Sequence, residues 1–162
     1  LTVRAALVAN LVHHHDLRTG ELVRLRLDDV IELPPSAPGA SSGRMLHCQP
    51  AVPGVGPVQP VHVELGFDSI ELLERWLEVR ADLTALTPRV KNLFVTVRGN
   101  HRNGVKVPAG MPLQERGLAR AHARVIANLN ALNHAQRGHE PDYQPLLRTL
   151  GALRPLARSD KA

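Results

Sequence analysis

The side chains best equipped for chemistry in this chain are arginines, and they fall in four settings. Arg18 lies in Asp16-Leu17-Arg18-Thr19-Gly20-Glu21-Leu22, with a carboxylate three residues on. Arg148 lies in Pro145-Leu146-Leu147-Arg148-Thr149. Arg98, Arg102 and Lys106 punctuate a Gly-containing stretch, and Arg116, Arg120 and Arg124 recur every four residues. A guanidinium is a planar fork that grips phosphate bidentately and hardly ever gives up its proton. Such groups suit anion binding rather than proton transfer. Arg18 and Glu21 also fit an ordinary surface pair at a helix start, and a row spaced by four also fits a solvated basic face.

The other reactive types offer less. Tyr143 is the sole tyrosine and Cys48 the sole cysteine, which excludes an intramolecular disulfide and a Cys-based zinc site. His13-His14-His15 cannot converge on one ion from a helix, because successive residues point about 100° apart. No metal site is expected. His47, His62, His101, His122, His134 and His139 show no His-x-x-x-His pair, so surface or helix-end roles are expected for them. The stretch from Arg98 to Lys106 lacks the Gly-Lys-Ser/Thr of a phosphate-cradling Walker loop.

These groups must be held by the following elements. Val3, Leu7, Val8, Leu11 and Val12 recur at helical spacing, predicting a first helix that stops at the histidine run. Asp16 is placed to cap a second helix carrying Arg18 and Glu21, with Leu22, Leu25 and Leu27 as its apolar face, ending near Asp28-Asp29. Short strands are expected at Val30 to Leu33, Met45 to Cys48 and Val58 to Leu65, joined by Pro/Gly/Ser-rich loops at 34–43 and 50–57. Asp68 opens an amphipathic helix that buries Ile70, Leu72, Leu73, Trp76, Leu77 and Val79 and turns Glu71, Glu74, Arg75, Glu78 and Arg80 to water. A strand Leu93 to Val97, a polar loop from Arg98 to Gly110, a long helix from Leu113 to Leu132 and a last helix from Tyr143 to Leu153 complete the pattern.

A length of 162 residues and a 43% hydrophobic fraction fit one domain with a real core. That domain is expected over 1–156, with a flexible tail at 157–162. Aromatic content of 2% leaves little for base-stacking platforms of the kind that read single strands. The formal charge of +5 and a pI near 10.3 favour approach to a polyanion. Arginine supplies nearly all of it, lysine standing only at 91, 106 and 161, a bias that GC-rich coding would also produce. No apolar run is long enough to span a bilayer and no export signal is visible, so the expected setting is the cytoplasm, without a membrane partner.

The order of elements and four short motifs resemble the catalytic domain of the tyrosine recombinases, the phage integrase family. Leu17-Arg18-Thr19-Gly20-Glu21-Leu22 and Leu25-Arg26-Leu27-Asp28-Asp29-Val30 stand where that family has its Leu-Arg-x-x-Glu-Leu and Leu-x-x-x-Asp-Val segments. Leu73 to Arg80 resembles its Leu-x-x-Trp-Leu-x-x-Arg helix, and Leu93-Phe94-Val95 its Leu-Phe-Val strand. The resemblance covers roughly residues 1 to 155. It implies a mostly helical α+β fold with a small antiparallel sheet, clamped on double-stranded DNA for site-specific recombination or integration. In that chemistry a tyrosine hydroxyl attacks a phosphodiester while two guanidiniums neutralise the charge building on the non-bridging oxygens. Arg18 and Arg148 would be the catalytic pair, with Glu21 orienting Arg18. Arg98, Arg102, Lys106, Arg116 and Arg120 would contact the DNA backbone. No cofactor or metal is implied, and assembly into a homo-oligomer on DNA stays open.

Three departures accompany the resemblance. The family's second box reads His-x-Leu-Arg-His, and Pro145 stands at its first histidine, where it can neither donate nor accept a proton. The small sheet normally supplies a lysine, yet residues 44–65 hold none and Arg44 is a poor substitute. A nucleophilic tyrosine is expected beyond Arg148, whereas Tyr143 precedes it. The chain reads either as a piece of an active recombinase or as a degenerate relative. A non-catalytic DNA-binding or protein-interaction module that reuses the fold is the alternative.

Overall fold

The computed structural model describes residues 2–35, 42–50, 59–102 and 104–159, without the side chains of 100, 102 and 155–159. The expected loops therefore fall largely outside the described residues, as do 160–162 of the expected tail.

Helix α1, Thr2–His15, is the axis of the domain. It buries Arg4, Ala5, Leu7, Val8, Leu11 and Val12, more of its circumference than a one-sided surface helix would, because α3, α4 and α5 all pack on it. It does not stop at the histidine run, since His13, His14 and His15 form its last turn, where imidazoles complement the helix dipole. The chain then reverses at Asp16, whose backbone is left-handed at φ 53°, so Asp16 is a turn residue and not the expected helix cap.

Helix α2, Thr19–Arg24, starts instead from Arg18, and it is shorter than the leucine spacing suggests. Leu25 leaves the helix with extended backbone, and Leu27–Asp29 form a separate 3-10 turn. The same device opens both segments: Glu21 Oε2 accepts the Arg18 backbone N–H at 2.6 Å, and Asp29 Oδ2 accepts that of Arg26 at 2.7 Å. A carboxylate three residues on thus satisfies a donor the first turn leaves unpaired.

Strands β1 (Val30–Leu33), β2 (Gly43–Cys48) and β3 (Val61–Glu64) form an antiparallel sheet in sequence order. Leu46 and Cys48 point into the core, and Arg44 shares their face. The fold class is α+β, as expected from sequence.

Helix α3, Phe67–Thr84, begins after Gly66 and buries Ser69, Leu73, Trp76, Arg80 and Thr84. Arg80 is thus not turned to water: at 5% exposure its Nε donates to Asn92 O and its Nη2 to Val90 O. Two of its donors thus meet backbone carbonyls, which offsets part of the cost of burying the group. Leu93, Phe94 and Val95 are fully buried, but no strand ladder forms there. The stretch is pinned by single bonds, Leu93 N–H to Leu25 O, Thr96 N–H to Met111 O and Leu113 N–H to Phe94 O. Gly110, at φ 81° and pressed against the Leu83 carbonyl, closes this turn where a Cβ would collide.

The stretch expected as a loop after Arg98 contains a two-stranded hairpin, β4 (Asn100–Arg102) with β5 (Val105–Val107). Helix α4, Glu115–Arg137, buries Leu118, His122, Val125 and Ile126 and packs on α1 and α2. Residues 143–148 are irregular rather than helical, held to α4 by Asn130, whose Nδ2 donates to Leu146 O and whose Oδ1 accepts the Leu146 N–H. Pro145 suits such a stretch, since it has no N–H to give a helix. Helix α5, Leu150–Ser159, begins seven residues later than expected and runs past the expected start of the tail at 157.

Candidate functional site

Arg18 occupies the cap position of α2, solvent exposed, in the turn between α1 and α2. Its backbone is fixed twice, by the Glu21 carboxylate on its N–H and by the Glu21 and Leu22 N–H groups on its carbonyl. Glu21 therefore sets the main chain that carries Arg18. Leu17 and Leu22 on either side are buried at 5% and 0%. A guanidinium on a rigid stalk is the result, and it makes no ion pair among the described residues.

Arg148 lies in the exposed irregular stretch two residues ahead of α5. It is not a helix residue, and no hydrogen bond or ion pair among the described residues involves it. The link between this end of the chain and the Arg18 turn runs through Arg154, whose Nε donates to Asp16 Oδ1 at 2.8 Å. The Asp16 carboxylate, with Glu21 adding to it at longer range, holds the Arg154 guanidinium even more firmly protonated than usual. Sequence reasoning missed Arg154. A pair 138 residues apart leaves no periodic trace in sequence.

The remaining basic candidates lie on two elements. Arg98 and Lys106 are exposed at the β4–β5 hairpin, where Lys106 pairs with His101 across the strands; the Arg102 side chain lies outside the described residues. Arg116, Arg120 and Arg124 are all exposed along α4, opposite the buried Leu118, His122, Val125 and Ile126. None of the three is neutralised by an ion pair among the described residues. Elsewhere the carboxylates take other arginines, as in Arg75 with Glu71 and Arg137 with Glu140.

Arg44, at the sheet position where the resemblance calls for a lysine, is occupied structurally. Its Nη1 lies 2.8 Å from Glu32 on β1 and its Nη2 3.7 Å from Glu74 on α3. Tyr143 is half-buried, donates its hydroxyl to Asn130 O at 3.3 Å, and lies 6.0 Å from the His134 ring. Burial, with Glu21 and Asp29 adding to it, pushes the Cys48 thiol up to about 12, so it stays protonated and poorly nucleophilic.

Two buried polar side chains escaped the sequence reading. Arg4, 4% exposed, donates from Nη1 to Val95 O at 2.8 Å and lies 6.0 Å from the Trp76 ring centroid. His122, expected at the surface, is 2% exposed and has no hydrogen-bond partner among the described residues on either ring nitrogen. A cleft of about 320 Å³ lies between the end of α1 and the start of α3, lined by residues such as Asn10, His14, Phe67 and Ser69, and contains none of the arginines. Among the described residues no three His, Cys, Asp or Glu side chains gather as a metal site. None of the described helices is long and apolar enough to cross a membrane.

Compared with models of known protein families and with curated proteins, the chain matches none.

Proposed function

We propose that this chain is a duplex-DNA-binding domain of the tyrosine recombinase type, serving site-specific recombination or integration, with Arg18 placed at a backbone phosphate. The observation that carries this reading is the exposed guanidinium of Arg18, without an ion pair among the described residues, on a main chain pinned at the α1–α2 turn ahead of the three-stranded antiparallel sheet. Arg116, Arg120 and Arg124 along α4, which packs on α2, supply further exposed positive charge. The two non-bridging oxygens of a phosphodiester would accept a parallel pair of N–H bonds from Arg18, a charge-assisted geometry that lysine cannot reproduce.

Strand cleavage is a separate matter, because the partners Arg18 would need are changed. Pro145 replaces a proton carrier, Arg44 is ion-paired in the place of a lysine, and no tyrosine follows Arg148 within the 162 residues. The reading therefore claims phosphate recognition by this chain and assigns it no chemical step.

The test is binding to labelled duplex DNA by fluorescence anisotropy across a salt series. Counterion release predicts an affinity that falls about 10³-fold or more between roughly 50 and 200 mM salt if six or more phosphates are contacted. Arg18→Ala should weaken binding at every salt concentration, and Arg18→Lys should recover only part of it. Absence of binding, or a flat salt response, overturns the proposal.

A further inference from the structure

The sheet carries a side-chain pair that the DNA-binding reading does not use. His47 on β2 and His62 on β3 are direct cross-strand partners, with His47 Nδ1 3.0 Å from His62 Nε2 and ring centroids 4.9 Å apart. The Leu65 N–H bonds to Arg44 O, so Arg44–Leu65 is a hydrogen-bonded pair, and alternation along the antiparallel ladder makes His47–His62 a non-hydrogen-bonded one. Such positions bring opposing side chains closest together. Strand pleating puts Met45 and Glu64 on the same face, with Ile31 and Leu33 of β1 beyond. Glu64 is the one other titratable side chain on that face of the three described strands, and His62 is exposed.

We propose that His47 and His62 form a two-histidine site for a late first-row divalent metal ion, copper(II) or zinc(II), that staples β2 to β3. Imidazole nitrogens bind such ions at about 2.0–2.1 Å, so two ligands on one ion stand about 2.9 Å apart at a right angle and about 3.3 Å apart at the tetrahedral angle. The observed 3.0 Å falls between these bites. Without metal the same nitrogens share one proton, one ring donating to the other as its tautomer dictates. The ion takes its place as that proton shifts to the far nitrogen of its own ring, and water fills the ion's other positions. Two protein ligands make the site open and exchangeable rather than a closed structural centre.

Calorimetric titration of the untagged full chain with copper(II) should show one ion per chain, bound more tightly than zinc(II), as imidazole sites order these metals. His47→Ala and His62→Ala should each weaken binding at least tenfold. On the unaltered protein, substoichiometric copper(II) should broaden the imidazole NMR signals of His47 and His62 before those of His13, His14 and His15. Binding that survives both substitutions, or broadening that starts at the His13–His15 run, overturns the proposal.

Discussion

Arg154 and Asp16, at 2.8 Å, tie the last helix of the domain to the turn that delivers Arg18. Asp16 does two things there: its left-handed backbone reverses the chain after α1, and its carboxylate receives α5. Both side chains are about a quarter to a third exposed, so solvent screens part of the attraction.

Removing this contact should therefore cost about 1 kcal/mol. Arg154→Met, which keeps the apolar stem, should lower the urea midpoint by that energy divided by the slope of the transition, with the slope itself unchanged. Asp16→Asn retains a residue tolerant of positive φ while discarding the charge, so it too should destabilise. The double variant should lose less than the sum of the two single losses. Additive losses would show that the two side chains do not act together.

Much of this architecture was legible in sequence. Apolar spacing located α1, α3 and α4, and short apolar runs bounded by Pro- and Gly-rich segments located the three strands, only the third of them by alternation. What was not legible depended on distant partners. Arg80 reads as a solvent residue until Asn92 and Val90 offer their carbonyls, and Leu93 to Val95 reads as a strand although only isolated bonds reach it. Arg18 stood out from its local motif. Its scaffold stood out only in part, since the Glu21 bond to its main chain follows the i,i+3 capping spacing whereas the Arg154 anchor on Asp16 follows from no spacing rule.

Trp76 is the keystone of the core, at 0% exposure, with Nε1 donating to Leu93 O at 2.9 Å and its ring 6.2 Å from that of Phe94. Trp76→Phe forfeits the hydrogen bond, leaves the Leu93 carbonyl without that donor and opens a void. A loss of about 2–3 kcal/mol is expected, and about 4 kcal/mol or more for Trp76→Ala. Chemical denaturation reads both. A loss under about 1 kcal/mol for Trp76→Phe would mean that the core re-forms around the smaller ring.

The arginine row on α4 makes a separable prediction about DNA. Replacing Arg116, Arg120 and Arg124 together by Gln should leave the melting temperature nearly unchanged, because all three are exposed and unpaired among the described residues. The slope of log affinity against log salt should become shallower by about 2–3, since each phosphate contact on duplex DNA contributes about 0.9. An unchanged slope would remove the row from the interface while leaving Arg18 to be judged by its own substitution.

His122 should make folding stability depend on acid. Burial lowers its pKa in the folded state below the ordinary 6.5, and neither ring nitrogen has a partner among the described residues to offset that. The unfolded chain therefore takes up a proton near pH 6.5 while the folded chain does not. Stability is lost as pH falls below about 6.5, at up to about 1.4 kcal/mol per pH unit, until the folded histidine is itself protonated. Above pH 7 this contribution is absent. Other histidines and carboxylates titrate in the same range, so the informative quantity is the difference between the parent and His122→Leu, measured by urea unfolding from pH 7.5 to 5. Leucine removes two unpaired polar atoms at nearly the same volume, so the variant should match or exceed the parent at pH 7.5, with its advantage growing as pH falls. A pH-independent difference would show that His122 finds, on protonation, a partner inside the fold.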